Sequence, residues 1–287
     1  MNLRSGNKFP RWRKIPKTEH HRAEVYLRNM ERFCVAACAR FLRIGENRGH
    51  VWQLPKQDGE ISALILHSRR TLFPVFGGNP RVPGPRFLSR FLSKIPIHAV
   101  QGLREDAEIL ERLMQEQGYF AAERIDYHLM SLDNTSSLQA GSAGPAGLKL
   151  RPPLPSDEDA LFALQSAYEQ EEVLSVKSVF NPAVSRLNLQ QLLSREQVLA
   201  AELGGQVVGK INTSALSFTR YQIGGVYVRS DCRGLGIGAK MTAVFAQSLL
   251  TQGRGLTLFV KKRNTAACKL YRKIGFSILA DYRITYY

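Results

Sequence analysis

The sequence predicts an α/β protein of two parts, the second with a mixed, mostly antiparallel central sheet flanked by helices. Apolar runs with strand character alternate with segments whose apolar residues recur at helical spacing. The length of 287 residues exceeds that of a typical single domain. Residues 134–147, rich in Ser, Gly and Pro, separate the two sets of runs and are typical of a linker.

The first part combines one long helix with short strands. Apolar residues at helical spacing predict an amphipathic helix over 21–42. The later runs predict strands at 51–54, 63–67, 71–75, 97–100 and 125–131, and helices at 86–92 and 104–117. We therefore expect a mixed α/β domain over 21–133, preceded by a basic arm over 1–20.

The second part, residues 148–287, begins with a strand and a helix that Ser156 should cap. Further helices are predicted at 183–195, 238–250 and 265–274, and strands at 148–151, 197–202, 207–215, 221–229, 256–260 and 276–285. Three antiparallel strands therefore lead into a β-α-β-α-β end.

A glycine-rich loop joins the strand at 221–229 directly to the helix that follows it. Its sequence over 228–239 is VRSDCRGLGIGA. Glycines allow the backbone to approach a ligand closely, and a helix N-terminus offers free N–H groups and a positive dipole end. Arg233 adds positive charge at the rim. The loop therefore predicts a phosphate site, and three kinds of protein use such a loop.

Two of these kinds fit the residues poorly. A P-loop NTPase requires a hydroxyl residue after the lysine, whereas Lys240 is followed by Met241. A dinucleotide fold should place an acidic residue about 20 positions beyond the loop. That stretch carries Arg254, Lys261 and Lys262 instead.

The third kind fits in register. Arg233, Gly236 and Gly238 fill the pattern [QR]xxGx[GA], in which the GNAT superfamily of N-acetyltransferases binds acetyl-coenzyme A. A strand, an Asn, a helix with Ala and Tyr, and a Gly-Phe pair then follow in that family's order, here as 258–260, Asn264, Ala267, Tyr271 and Gly275-Phe276. Residues 148–287 thus resemble a GNAT domain.

The resemblance implies how acetyl-coenzyme A would be held. The strand before the loop would pair with the pantetheine arm, the loop and helix start would hold the pyrophosphate, and Asn264 would bond the pantetheine or an ordered backbone. The implied binding residues are Val226, Tyr227, Val228, Arg233, Gly234, Leu235, Gly236, Ile237, Gly238, Ala239, Asn264 and Ala267.

The resemblance also implies a general acid, whereas the base stays open. Tyr271 would lie beside the thioester, where a neutral phenol can protonate the departing thiolate. The strand before the loop offers no carboxylate, so Glu171 or Glu172, at the end of the first helix, is the alternative as base or amine-binding group. Glu169 and Glu172 share one helix face and Glu171 does not, so at least one of the three should be exposed.

The first part has no comparable glycine loop. Residues 77–81 (GGNPR) predict a turn, and a domain of GNAT topology here would be a degenerate copy. We therefore expect a fragment that begins near Ala146 to keep cofactor binding, and a fragment that ends there to lack it.

The charge and composition of the chain limit the kinds of molecule that we expect it to bind. The net charge of +16 would attract polyanions, but the basic arm has no RNA-binding signature, so nucleic acid is not the expected partner. No secretory or membrane-spanning segment is predicted, and the four cysteines form no metal-ligand pattern, so we expect a cytoplasmic protein without a metal.

The sequence predicts an N-acyltransferase that moves an acetyl group from acetyl-coenzyme A to a primary amine. The alternative is a non-catalytic acetyl-coenzyme A sensor, and neither the acceptor nor an oligomeric state is specified.

Overall fold

The computed structural model describes residues 11–46, 49–56, 58–78, 85–93, 95–139, 143–175 and 178–287. Two units are distinguished by their internal contacts. Unit 1 comprises the described residues up to Arg124 together with Arg283–Tyr287, and unit 2 is Ile125–Tyr282.

Both units contain helices and strands. The helices are α1 His20–Met30, α2 Val35–Leu42, α3 Pro85–Leu92, α4 Arg104–Gln115, α5 Glu158–Tyr168, α6 Pro182–Arg195, α7 Ile237–Leu250 and α8 Thr265–Ile274. The strands are β1 Arg13–Lys14, β2 His50–Pro55, β3 Ile61–Ser68, β4 Thr71–Val75, β5 Ala99–Leu103, β6 Glu123–Leu132, β7 Lys149–Arg151, β8 Val198–Leu203, β9 Gln206–Leu216, β10 Arg220–Val228, β11 Gly255–Lys261 and β12 Ser277–Tyr286. Within the described ranges, no helix combines the length and apolar character that crossing a membrane requires.

The sheet of unit 1 has the order β1-β2-β3-β4-β5, followed by the end of β12. Neighbours from β1 to β4 are antiparallel, whereas β4 and β5 are parallel. Its core is built from strand residues and from the apolar faces of α3 and α4. The buried members include Leu54, Ile65, Leu72, Phe76, Leu88, Val100, Leu110 and Met114.

The sheet of unit 2 has the order β12-β6-β11-β10-β9-β8-β7. Strands β7 to β10 pair antiparallel, β10 and β11 pair parallel, and β11 and β6 pair antiparallel. Successive side chains of a strand point to opposite faces. Ala201 therefore packs in the cluster that contains α7 and α8, and Ala200 packs in the cluster that contains α5 and α6.

The two units repeat one order of elements. Three antiparallel strands, a helix, a parallel strand and a second helix occur as β2-β3-β4-α3-β5-α4 in unit 1 and as β8-β9-β10-α7-β11-α8 in unit 2. The helix after the third strand has 8 residues in unit 1 and 14 in unit 2. The predicted fold class is confirmed, and the described elements of unit 1 follow the same order as those of unit 2.

The long helix predicted over 21–42 is interrupted. Cys34 has φ −139° and ψ 37°, which is not helical, and separates α2 from a 3₁₀ turn at Glu31–Phe33. Because of this break, the apolar residues do not form one continuous stripe. Val25 and Leu42, two apolar residues of this predicted helix, are exposed.

The predicted arm and linker are both partly structured. Arg13–Lys14 pairs with β2 and Ile15 is buried, so residues 11–20 belong to unit 1, while residues 1–10 lie outside the described ranges. In the linker, Leu138 packs against the core of unit 2, and the N–H of Gln139 donates to the Ile274 carbonyl at 2.8 Å. An apolar residue and a backbone bond thus attach a segment whose composition predicts flexibility.

Ser156 does not cap α5, contrary to prediction. It lies inside a 3₁₀ turn, Pro155–Asp157. Asp157 instead accepts a hydrogen bond from the Leu154 N–H at 2.7 Å and forms an ion pair with Arg151 at 2.6 Å. The Arg151 guanidinium holds the pKa of that carboxyl below its usual range.

The structure divides the chain earlier than the predicted linker does. Residues 125–132 of β6 belong to unit 2, where β6 pairs with β11 from Leu132↔Leu256 to Tyr127↔Lys261. The end of β12 belongs to unit 1, where the Tyr287 N–H donates to the His98 carbonyl at 3.0 Å. Thus β6, which follows the last helix of unit 1 in the sequence, belongs to unit 2. The end of β12, which follows the last helix of unit 2, belongs to unit 1.

This exchange changes the expectation for fragments. A fragment that begins at Ala146 lacks β6 and exposes the edge of β11, so it should aggregate or unfold instead of binding the cofactor. A fragment that begins at Glu123 restores that pairing and should be more soluble and more cooperative in thermal unfolding. Size-exclusion chromatography and circular dichroism compare the two. Equal folding of both fragments would show that β6 is dispensable for unit 2.

Candidate active site

Strands β10 and β11 part in the middle of the sheet of unit 2. Their parallel pairing runs from Arg220↔Gly255 to Ile223↔Leu258, where it ends. Both strands continue beyond that point, β10 to Val228 and β11 to Lys261. The parted segments therefore leave backbone groups that the partner strand does not use, along the walls of an opening.

A β-bulge in β10 lies at the start of this opening. Gly224 pairs with Asn212 and Tyr227 with Lys210, so two residues of β10, Gly225 and Val226, lie opposite one residue of β9. Gly225 has φ +59°, in the left-handed region. A Cβ there would overlap Asn212 Oδ1 and lie 2.8 Å from Lys210 Nζ, so only glycine fits.

The glycine-rich loop leads from β10 into α7. Gly234 and Gly236 have φ +81° and +80°, which turns the chain so that α7 begins directly behind the loop. The N–H groups of the first helical turn have no acceptor within the helix. They carry the positive end of a 14-residue helix dipole. The predicted phosphate site is thus a helix N-terminus.

The segment directly after α5, Glu169–Val173, is a π-helical turn that carries three glutamates. The bond from the Leu174 N–H to the Glu169 carbonyl, 2.8 Å, closes this wider turn. The extra residue per turn changes the direction of the side chains relative to an α-helix. As a result, Glu169, Glu171 and Glu172 contact three different elements.

Glu171 joins the turn to the loop. Its carboxylate accepts a hydrogen bond from the Tyr227 hydroxyl at 2.5 Å and forms an ion pair with Arg233 at 2.9 Å. The Tyr227 hydroxyl and then Arg233 hold the pKa of Glu171 below its usual range. Burial, and then Glu171, raises the pKa of Tyr227 to about 12. Glu171 is partly exposed, as expected of at least one of the three, and it is an anion at neutral pH.

Glu172 joins the turn to β11 and α8. It accepts a hydrogen bond from Asn264 Nδ2 at 3.2 Å and lies 3.3 Å from the buried ammonium of Lys261. Asn264 also caps α8, since its Oδ1 accepts from the Ala267 N–H at 3.0 Å. The predicted amide is thus oriented from both sides, by Glu172 and by the start of α8.

Tyr271 is buried on α8, and its ring packs edge-on against Phe276 with 6.0 Å between the ring centroids. Burial raises the pKa of the phenol well above its usual range, and the nearby Tyr168 and Glu172 add to the shift. The hydroxyl therefore keeps its proton at neutral pH. This is the protonation state that a general acid requires.

These elements surround one cavity of about 420 Å³, which lies within unit 2. The sequence-predicted residues that line it are Glu172, Val226, Val228, Arg233, Gly234, Gly236, Ile237, Gly238, Ala239, Asn264, Ala267 and Tyr271. Three predicted residues do not line it. They are Glu171, Tyr227 and Leu235.

Sequence reasoning missed several lining residues. They include Tyr127, Tyr168, Cys232, Phe259 and Lys261. Tyr127 lies on β6, before the predicted linker, so no local pattern connects it to the site. Lys261 directly follows a predicted buried strand, and its place three residues before Asn264 was an available signal. In the parts of the chain that the structure describes, no three His, Cys, Asp or Glu side chains are grouped so that they could hold a metal ion.

Comparison with known proteins finds a family that is similar to this part of the chain. Residues 161–276 match the model of the acetyltransferase (GNAT) family. The likeness to this family in sequence therefore covers this part of the chain. The match contains the parted strands, the loop and Tyr271, and GNAT enzymes use acetyl-coenzyme A. Among curated proteins, none matches the chain in sequence.

Solved structures extend the likeness to the fold of nearly the whole chain. A Drosophila protein of known X-ray structure has a TM-score of 0.68 and 12% identity, over 97% of this chain and 99% of that one. A tandem GNAT protein from the clavulanic acid biosynthesis pathway has a TM-score of 0.60 and 11% identity, over 96% and 97%. A GNAT acetyltransferase from Colwellia psychrerythraea has a TM-score of 0.55 and 11% identity, over 96% and 98%. At these identities the likeness concerns the fold alone.

Substitution of Gly236 tests whether the glycine-rich loop binds the pyrophosphate of acetyl-coenzyme A. Gly236→Asp would place a carboxylate against the pyrophosphate, so acetyl-coenzyme A should no longer raise the melting temperature. Gly236→Asn is the matched control, because Asn tolerates a left-handed backbone as Asp does but carries no charge. For the wild type, ligand at a hundred times its Kd should stabilise unit 2 by about 2.7 kcal/mol. Equal stabilisation of both variants, or stabilisation by NADH or ATP alone, would contradict the assignment.

Proposed function

We propose that unit 2 transfers an acetyl group from acetyl-coenzyme A to a primary amine by direct attack within a ternary complex. The main support for this proposal is the composition of the cavity wall. The neutral, buried phenol of Tyr271 and the N-terminus of α7 line the same cavity. A site for an anionic carrier and a proton donor are thus present together, as acyl transfer from a thioester requires.

The backbone and the charged groups around the cavity support the binding of acetyl-coenzyme A. The parted strand backbones, with Val226 and Val228 on the cavity wall, offer hydrogen-bonding groups for the amides of the pantetheine arm. The N–H groups at the start of α7 would hold the pyrophosphate. Arg233 lies at the edge of the same loop, and its guanidinium is already shared with Glu171. The cation would therefore be oriented by Glu171 before the pyrophosphate arrives.

Tyr271 would serve as the general acid. In the reaction, the amine nitrogen forms a bond to the acyl carbon, the carbon–sulfur bond breaks, and the sulfur takes up a proton. A phenol that keeps its proton at neutral pH can supply it. The acceptor amine must lose a proton, which requires a base or a water on the other side of the site.

Glu171 and Glu172 differ in how well they could act as the base that deprotonates the amine. Glu171 is a weak base because its two partners stabilise the anion, and it does not line the cavity. Glu172 lines the cavity and contacts Lys261 and Asn264, so it is the better placed group for binding or deprotonating the amine. We therefore propose Glu172 for that part and assign Glu171 to orienting Arg233.

A second candidate function is an acetyl-coenzyme A sensor without catalysis. The observation that favours it is the absence of an acid at the β10 bulge, where Gly224 and Gly225 occupy the strand positions that face the opening. A sensor would bind the cofactor as tightly and release no thiol. Turnover therefore separates the two functions.

Tyr271→Phe tests the role of the acid. The substitution removes one proton and keeps the ring in its packing against Phe276, so folding and acetyl-coenzyme A affinity should barely change. General acid catalysis contributes about 10² to 10⁴, and kcat should fall by a factor in that range. Stopped-flow measurement of thiol release under single-turnover conditions isolates the chemical step.

Tyr221→Phe is the matched control for that experiment. Tyr221 is also buried, but its hydroxyl bonds Gln252 at 2.9 Å and it does not line the cavity. This variant should lose some stability and keep its turnover. A Tyr271→Phe enzyme that transfers acetyl groups at the wild-type rate would exclude Tyr271 as the acid.

A further inference from the structure

Lys210 is a lysine of β9 whose side chain is fully buried. Its ammonium donates to the carbonyl of Gly225 at 3.2 Å and to Asn212 Oδ1 at 3.1 Å. The Tyr168 ring covers it, with 5.0 Å from Nζ to the ring centroid. A buried ammonium is unfavourable unless its hydrogen bonds and charge are compensated, so its position calls for a local reason.

The bulge provides that reason. An extra residue in a strand disrupts the ladder and leaves backbone groups without their usual partner. At Gly225 the left-handed backbone directs a carbonyl to the Lys210 ammonium, and Asn212 occupies the space where a side chain at 225 would begin. Lys210 and Asn212 thus fill the space that a side chain at position 225 would occupy.

Lys210 is connected to the cavity through this carbonyl. Gly224, Gly225 and Val226 all line the cavity, as does Tyr168, whereas Lys210 does not. Loss of the ammonium would leave the Gly225 carbonyl buried without a donor and would release the bulge from its present shape. The effect would therefore reach the cavity wall where the two strands part.

We propose that Lys210 is a positioning residue of the acyl-transfer site, whose ammonium holds the β10 bulge in the shape that binds acetyl-coenzyme A. This inference rests on the proposed function and deepens it. Nothing in the reacting system needs to touch Lys210, since it acts through the Gly225 carbonyl.

The charge of this group changes near neutral pH. Burial lowers the pKa of Lys210 to about 7, and the carboxylate of Glu169 opposes that shift. Glu169 is itself buried and accepts hydrogen bonds from Gln165 and Asn188. Two further titratable groups lie against Lys210 in the described part of the chain: Tyr168, above it, and Tyr227, its cross-strand neighbour.

Affinity and stability should therefore respond to pH in opposite directions. Charged donors make stronger hydrogen bonds than neutral ones, so acetyl-coenzyme A affinity should fall as pH rises through about 7. The pKa of Lys210 in the folded state lies below the unfolded value of about 10.4, so the unfolded state binds more protons between these two values. The contribution of Lys210 to the free energy of unfolding should therefore rise as pH increases from about 7 to about 10.4. A lysine that only stabilises the fold would not give opposite trends.

Calorimetric titration of the full chain with acetyl-coenzyme A between pH 6 and 9 tests the proposal. For the wild type, Kd should rise about fivefold across the range, the difference between charged and neutral hydrogen bonds. Lys210→Met should bind about tenfold more weakly at pH 6 and lose this pH dependence. Thr242→Val is the control, because Thr242 is equally buried in unit 2, its hydroxyl has no hydrogen-bond partner among the described residues, and it does not line the cavity.

Asn212→Asp keeps the test decisive if Lys210→Met does not fold. A carboxylate at the position of Asn212 Oδ1 should raise the pKa of Lys210 by about one to three units and move the midpoint of the affinity change upward by as much. A Kd in Lys210→Met equal to that of the wild type, or an unmoved midpoint in Asn212→Asp, overturns the proposal. A wild type that binds no acetyl-coenzyme A at any pH overturns the proposed function together with it.

Discussion

The left-handed glycine at position 225 is the constraint on which the site depends. Its bulge interrupts the ladder between β9 and β10 at the level where β10 and β11 cease to pair. From that point the backbone of β10 forms a cavity wall instead of a sheet interior. A larger residue at 225 would clash with Asn212. The bulge, the buried polar groups behind it and the opening in front of it therefore all require glycine at this position.

The π-helical turn after α5 fastens the elements around this opening. Glu169 bonds α5 to α6 and lies near Lys210, Glu171 holds Arg233 of the loop, and Glu172 holds Lys261 and Asn264. The two ends of the predicted cofactor site, the loop and the start of α8, are thus oriented from one short segment. Ion pairs of partly exposed groups contribute little to stability, so we interpret these contacts as orienting ones.

The sequence was informative where the signal is local. The loop with its glycines, Asn264 and Tyr271 occur at a spacing that identifies the part of the chain that matches the GNAT family, and the structure brings all three to one cavity. The π-helical turn was not predictable from a 3.6-residue period, because it has an extra residue. In the sequence, Lys210 is one residue of a predicted strand and has no distinguishing pattern. Its proposed role depends on a bulge in the neighbouring strand, which the sequence does not predict. The exchange of β6 and the end of β12 depends on pairing between distant segments, which no local pattern specifies.

Release of free thiol from acetyl-coenzyme A, measured with the full chain and a panel of primary amines, is the decisive test of acetyl transfer. We expect thiol release that depends on one class of amine, with an equal amount of N-acetylated amine detected by mass spectrometry. A chain that binds acetyl-coenzyme A well but releases no thiol with any amine in a broad panel would contradict catalysis and favour the sensor.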